Sequence, residues 1–106
     1  MTANRGALPR LPFPKIMKGE STMQIKTIIT AGVAAEMNAN DEFNQFVIDS
    51  IYRHLSGDWG DVSEHDRDLN RSDPLNALSA YKSAADVKIW IKQDGKILTV
   101  LFPDEY

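Results

Sequence analysis

Between Phe43 and Leu55 the inward-type positions Phe43, Phe46, Val47, Ser50, Ile51, His54 and Leu55 recur at intervals of three and four. That is the spacing of one face of an α-helix. Asn40 stands before this run as a cap, and Asp41 and Glu42 fall in the first turn, where the helix macrodipole favours anions. The pattern predicts a helix over 41–55 that ends by Gly57, since glycine readily takes the left-handed conformation of a C-cap.

Elsewhere the period falls to two. "MQIKTIIT", residues 23–30, is rich in β-branched side chains and predicts a short strand. "AGVAAEMN" after Thr30 suits about two helical turns, weakened by Gly32. In "NALSAYKS", Leu78, Ala80 and Lys82 alternate against Ser79, Tyr81 and Ser83, a further strand. In "VKIWIKQDGKILTVLF" the Asp94-Gly95 pair suits a two-residue hairpin turn. Pairing Gln93 with Lys96 then sets Ile91 opposite Leu98, Ile89 opposite Val100 and Val87 opposite Phe102 on one face. Lys88, Trp90 and Lys92 face the other way with Ile97, Thr99 and Leu101.

The stretch "HLSGDWGD", residues 54–61, joins the clear helix to a second one. Ser63 opens a Ser-x-x-Asp pattern that resembles a capping box, so a short acidic helix is expected from 64 to about 70. Trp59 would plug the space between the two helices, and Asp58 or Asp61 would bond its indole N–H or cap the following helix. The fold class that follows is α+β: an antiparallel sheet of three to four strands with two to three helices packed on one face.

Composition narrows the function. The 106 residues are 42% apolar and 25% charged, enough for one domain with one core. A net charge of -3 argues against wide contact with a phosphate backbone, which rewards clustered Lys and Arg. With no cysteine there is no disulfide framework and no thiolate zinc site, which suits a cytoplasmic protein. No apolar run is long enough to span a bilayer, so no membrane partner is expected.

Residues 1–22 differ from the rest. Pro9, Pro12 and Pro14 disfavour helix and strand, and Arg5, Arg10, Lys15, Lys18 and the amino terminus face one acid, Glu20. Arg10 and the prolines interrupt what would be the apolar stretch of a signal peptide. The expected organisation is a flexible or partner-docked arm over 1–22 and a single α+β domain over 23–106. Because Met23 follows directly, the arm also fits a dispensable upstream extension.

Taken together, "RHLSGDWGDVSEHDRDLN", "LSAYK", "KIWI" and the closing "TVLFPDEY" resemble a family of small uncharacterised proteins carried by bacterial plasmids, phages and other mobile elements. The resemblance covers roughly Ile28 to Tyr106 and leaves the arm without a counterpart. It implies a genomic setting rather than an activity. Members are sometimes described as restriction–modification subunits, but this chain lacks the βαβ unit and glycine-rich loop that nucleotide chemistry needs.

Candidate chemistry is sparse. His54, Ser56, Asp58 and Asp61 contain the residue types of a nucleophile, a base and an orienting group, yet no glycine-flanked nucleophile elbow accompanies them. His54, Asp58, Asp61, His65 and Asp66 offer nitrogen and oxygen ligands at a spacing that matches no zinc or calcium loop. Caps, and a helix-terminal imidazole packed on Trp59 or bonding a last-turn carbonyl, account for the same residues without catalysis, so no cofactor or metal is expected and the chain is read as a non-enzyme.

What remains is recognition. From Asp58 to Asp73 the acids Asp58, Asp61, Glu64, Asp66, Asp68 and Asp73 outnumber Arg67 and Arg71 six to two. With Trp59, the carboxylates of Asp58, Asp61, Glu64, Asp66 and Asp68 form a candidate surface for a basic groove that normally holds nucleic acid. Tyr81 and Trp90 form a second candidate if they share the outer sheet face, and strand 97–102 a third if it lies at an edge. The expectation is a mobile-element module that binds a larger host protein or ribonucleoprotein complex and inhibits or modulates nucleic-acid-processing defence, of anti-CRISPR or anti-restriction type. A small regulator or antitoxin is the alternative, and a metal-dependent hydrolase built on His54, Asp58, Asp61 and His65 a more distant one.

Overall fold

The computed structural model describes residues 24–106; the expected arm over 1–22 lies outside the described residues. The elements run β1 (Lys26–Ile29), α1 (Ala31–Ala39), α2 (Asp41–Leu55), α3 (Glu64–Ser72), β2 (Leu78–Lys82), β3 (Lys88–Asp94) and β4 (Ile97–Leu101), with short 3-10 turns at Pro74–Asn76 and Pro103–Glu105. Each helix begins on a side-chain cap. Thr30 accepts from the Val33 amide, Asn40 from Phe43 at 3.1 Å and Ser63 from Asp66 at 3.1 Å. Gly57 takes the left-handed conformation, φ +89°, and closes α2 by donating to the His54 carbonyl at 3.1 Å.

The α+β expectation holds. One four-stranded sheet has the order β1-β4-β3-β2. The pairs β2–β3 and β3–β4 are antiparallel, and β1 joins parallel to β4 after the long crossover through the helices. Phe43 and Val47 of α2 and Val33 of α1 pack on Tyr81, Ile89, Ile91, Leu98 and Val100. Full burial of side chains this size stabilises the fold by roughly 1.5–3 kcal/mol each. Helices α1 and α2 therefore cover one sheet face, while α3 is tied to the margin of β2.

Three sequence expectations change. The hairpin turns on Gly95 and Lys96 rather than on Asp94 and Gly95, because Gly95 supplies the positive φ of +63° at the first central position, the Gly-X pattern of a type II′ turn. Gln93 accordingly pairs with Leu98 and Ile91 with Val100. Moving the turn by one residue shifts the register by two, so every side chain keeps its predicted face. Second, β4 is not an edge, since β1 pairs along its outer side. Third, Tyr81 and Trp90 do not share a face: Trp90 sits directly across from Ala80, whereas Tyr81 sits across from Ile89 and points to the helices. Trp90 instead meets Tyr106 edge-on on the far side, with ring centroids 5.7 Å apart.

Candidate functional site

The glycine- and aspartate-rich turn after α2 runs along the open side of β2. Trp59 accepts from the Ala80 amide at 3.1 Å, and the Asp61 amide donates to the Ala80 carbonyl at 2.7 Å, with Gly60 in parallel bridge to Ala80. Two residues earlier on the same margin, the Asn70 amide donates to the Leu78 carbonyl at 2.9 Å and accepts from the Leu78 N–H at 3.1 Å. Leu78 and Ala80 are the residues whose backbone groups point away from β3, so the margin is satisfied by a loop and a side chain rather than by a fifth strand.

Asp58 organises the approach to that margin. Its carboxylate accepts from Arg53 Nε at 2.7 Å and Nη2 at 3.2 Å, and from the Gly60 amide at 3.2 Å. The Arg53 guanidinium beside it holds the Asp58 carboxyl below the usual carboxylate range. The same guanidinium lies 4.7 Å from the centroid of the Tyr81 ring. Tyr81 donates its hydroxyl to the Asp58 carbonyl at 2.6 Å, and burial pushes its phenol up to about 12. Gly60 must approach Tyr81 closely, since a Cβ there would overlap the Ala80 carbonyl and stand 2.7 Å from the ring. Trp59 is not bonded by either aspartate among the described residues, contrary to expectation, because Asp58 is committed to Arg53 and the Gly60 amide.

Beneath this turn lies a buried polar relay. His54, 3% exposed, sets Nδ1 2.5 Å from Ser79 Oγ and Nε2 2.9 Å from Gln93 Oε1. Gln93 in turn donates its amide to the Gly95 carbonyl at 2.9 Å, which leaves Oε1 as the acceptor. The imidazole therefore carries its proton on Nε2, and Ser79 donates to Nδ1. Burial holds the His54 pKa below its ordinary value, against the opposing pull of the Gln93 bond. A hydroxyl donating to a neutral imidazole is the pairing that activates a nucleophile, and here Ser79 is 0% exposed. The relay joins the last turn of α2 to β2 and β3.

The other singled-out residues separate. Ser56, considered beside His54, donates to the Arg53 carbonyl at 2.9 Å and belongs to the helix end. His65 is exposed on α3, far in role from buried His54, and no group of three His, Asp or Glu side chains among the described residues is placed to hold a metal. On the acidic face, Asp68 pairs with Arg71, Asp58 with Arg53, and Arg67 donates to the Gly60 and Val62 carbonyls at 3.3 Å. Asp61 and Glu64 are exposed and Asp66 half-buried, with no salt bridge to any of the three among the described residues.

Ser79, Gln93 and Asn70 carry the buried polar geometry, and sequence reasoning assigned none of them this role. A signal existed for two of them. The strand alternation places Ser79 with Tyr81 and Gln93 with Ile91 on the inward face, and the helix stripe places His54 inward, so three polar groups were aimed at one another. Compared with known proteins, the chain matches no family model, no curated protein and no solved structure.

Proposed function

We propose that this chain is a non-enzymatic protein-recognition module of mobile-element type, whose acidic face engages the basic groove of a larger host nucleic-acid-processing complex and inhibits or modulates it. The observation that carries the reading is the set Asp61, Glu64 and Asp66, whose carboxylates have no basic partner among the described residues while every neighbouring arginine is already engaged. Glu64 and Asp66 sit on a short helix anchored through Asn70 to the sheet, and Asp61 sits in the preceding turn with its amide bonded to Ala80, so the three present negative potential from a fixed position. Such a surface speeds encounter with a positive groove and fixes register. The buried state of Ser79 and the dispersal of His54 and His65 favour recognition over hydrolysis. No helix among the described residues is long and apolar enough to cross a membrane.

The test is reconstitution. Proteins recovered from host lysate on the immobilised chain are purified and mixed with it in solution, and a variant carrying Asp61→Lys, Glu64→Lys and Asp66→Lys is compared. A stoichiometric complex that loses at least about tenfold affinity in the variant, and weakens as salt rises, is expected. Equal binding by the two proteins overturns the reading.

A further inference from the structure

A cleft of about 430 Å³ opens between α1, α2 and the turn that joins β2 to β3, within the size range of ligand-binding sites. Phe43, Phe46 and Val87 give it an apolar lining, and the exposed side chains of Glu36, Glu42 and Asp49 stand around them. No Lys, Arg or His lines it, and none of the three carboxylates makes a salt bridge among the described residues. Solvated acids on a helix are ordinary, but these flank an aromatic in a concavity, where low-dielectric walls focus the negative potential. The fitting occupant is cationic.

The spacing of the groups defines the shape of that cation. Glu42, Phe46 and Asp49 fall at i, i+4 and i+7 on α2, so a half-buried aromatic stands between two carboxylates roughly 10 Å apart along the helix axis. No group of three acids among the described residues is placed to hold a metal, so the charge that answers these carboxylates is distributed rather than a single ion. An extended peptide with a basic side chain two residues to either side of an apolar one supplies it. Its basic residues lie roughly 13 Å apart, their flexible apolar stems bring both charges to the carboxylates, and the central side chain meets Phe46. Two amides favour a peptide over a free polyamine, which donates hydrogen bonds without accepting any. Asn40 spends its Oδ1 on the Phe43 amide and Gln45 spends its Nε2 on Asp49, which leaves Asn40 Nδ2 as a donor and Gln45 Oε1 as an acceptor for a main-chain amide.

We propose that this cleft is a docking site for an extended segment of a partner protein in which two basic residues flank an apolar one at alternate positions, the basic groups meeting Glu42 and Asp49 and the apolar one Phe46. The site shares no residue with the surface of Asp61, Glu64 and Asp66, and neither role requires the other.

Amide NMR spectra of the isotope-labelled full chain test it by titration with three probes: the capped peptide Ser-Arg-Ser-Leu-Ser-Arg-Ser, the same peptide with Gln for both Arg, and spermidine. The arginine peptide is expected to give saturable shifts at the amides of Phe46, Ala84, Ala85 and Val87. Its affinity falls at least about fivefold between about 50 mM and about 300 mM salt, and by a similar factor in a protein carrying Glu42→Gln and Asp49→Asn. The variant carrying Asp61→Lys, Glu64→Lys and Asp66→Lys binds the peptide as the wild type does, which separates this site from the recognition surface above. Absence of saturable shifts overturns the proposal, as does equal binding of the glutamine peptide, which removes the role of charge without altering the protein. Spermidine binding as tightly as the arginine peptide overturns the peptide occupant, and shifts centred on Glu64–Ser72 place the cation on the other acidic face.

Discussion

Asn70 stands in for a missing strand beside Leu78, donating to its carbonyl at 2.9 Å and accepting from its amide at 3.1 Å. The side-chain amide is the one group that presents a donor and an acceptor in the geometry of a backbone unit, and Asn70 is only 4% exposed. Asn70→Leu leaves both backbone groups unbonded at a half-buried margin, at a cost of about 2–4 kcal/mol. Chemical denaturation should show the lowered midpoint, and hydrogen exchange should show loss of protection at the Leu78 amide.

Gly57 and Gly60 both take positive φ within the same turn, at +89° and +71°, but they answer to different constraints. Nothing lies within 4 Å of a Cβ at Gly57, whereas one at Gly60 meets the Ala80 carbonyl and the Tyr81 ring. Gly57→Ala is expected to cost about 1 kcal/mol of backbone strain. Gly60→Ala adds a steric conflict with backbone that cannot retreat, and should cost about 3 kcal/mol or more, releasing the loop from β2. Thermal melts of the two variants separate these cases, and similar losses would refute the close-approach argument.

Glu105 fastens the end of the chain to the start of α1. Its carboxylate accepts from Thr30 Oγ1 at 2.7 Å and from the Phe102 amide at 2.8 Å, and those bonds hold its pKa below the ordinary value, the Phe102 amide most. The folded state thus binds the proton less readily than the unfolded chain. The resulting stabilisation is present above the unfolded pKa and is lost as pH falls through the folded one. Glu105→Gln removes that dependence, so the gap in melting temperature between wild type and variant should narrow from about pH 6 to about pH 3.

Much of this architecture was legible in the sequence, and the gaps have physical causes. The α2 boundaries follow from an unbroken 3.6 period with a cap at Asn40 and a glycine at 57. The inward faces of β3 and β4 follow from period two and survive the register error, because turns displaced by one residue preserve parity. The parallel pairing of β1 with β4 was not legible, since four residues of β-branched character say nothing of partner or direction. The role of "GDWGD" was half legible: its glycines announce a reversal, but only the fold shows that the reversal lies along β2. Its aspartates were overcounted as free surface charge, for Asp58 is spent on Arg53 and Gly60.

His54 gives the protein a built-in sensitivity to mild acid. In the neutral imidazole Nδ1 accepts from Ser79 and Nε2 donates to Gln93; a second proton would place a positive charge on a ring only 3% exposed and turn the Ser79 hydroxyl from donor to acceptor. Burial accordingly depresses the folded pKa below the ordinary value of 6.5. The unfolded chain binds the proton first, so stability is full above about pH 6.5 and falls with acid until the folded pKa is reached. The slope of that loss approaches about 1.4 kcal/mol per pH unit for one proton. His54→Gln leaves one of the two partners unbonded, costs about 1–3 kcal/mol near neutral pH, and removes this slope. Urea denaturation of both proteins at intervals from about pH 7.5 to about pH 5 should therefore give curves that converge on acidification. Parallel curves would mean that His54 is protonated as easily inside the fold as outside it, and burial would not then hold the imidazole neutral.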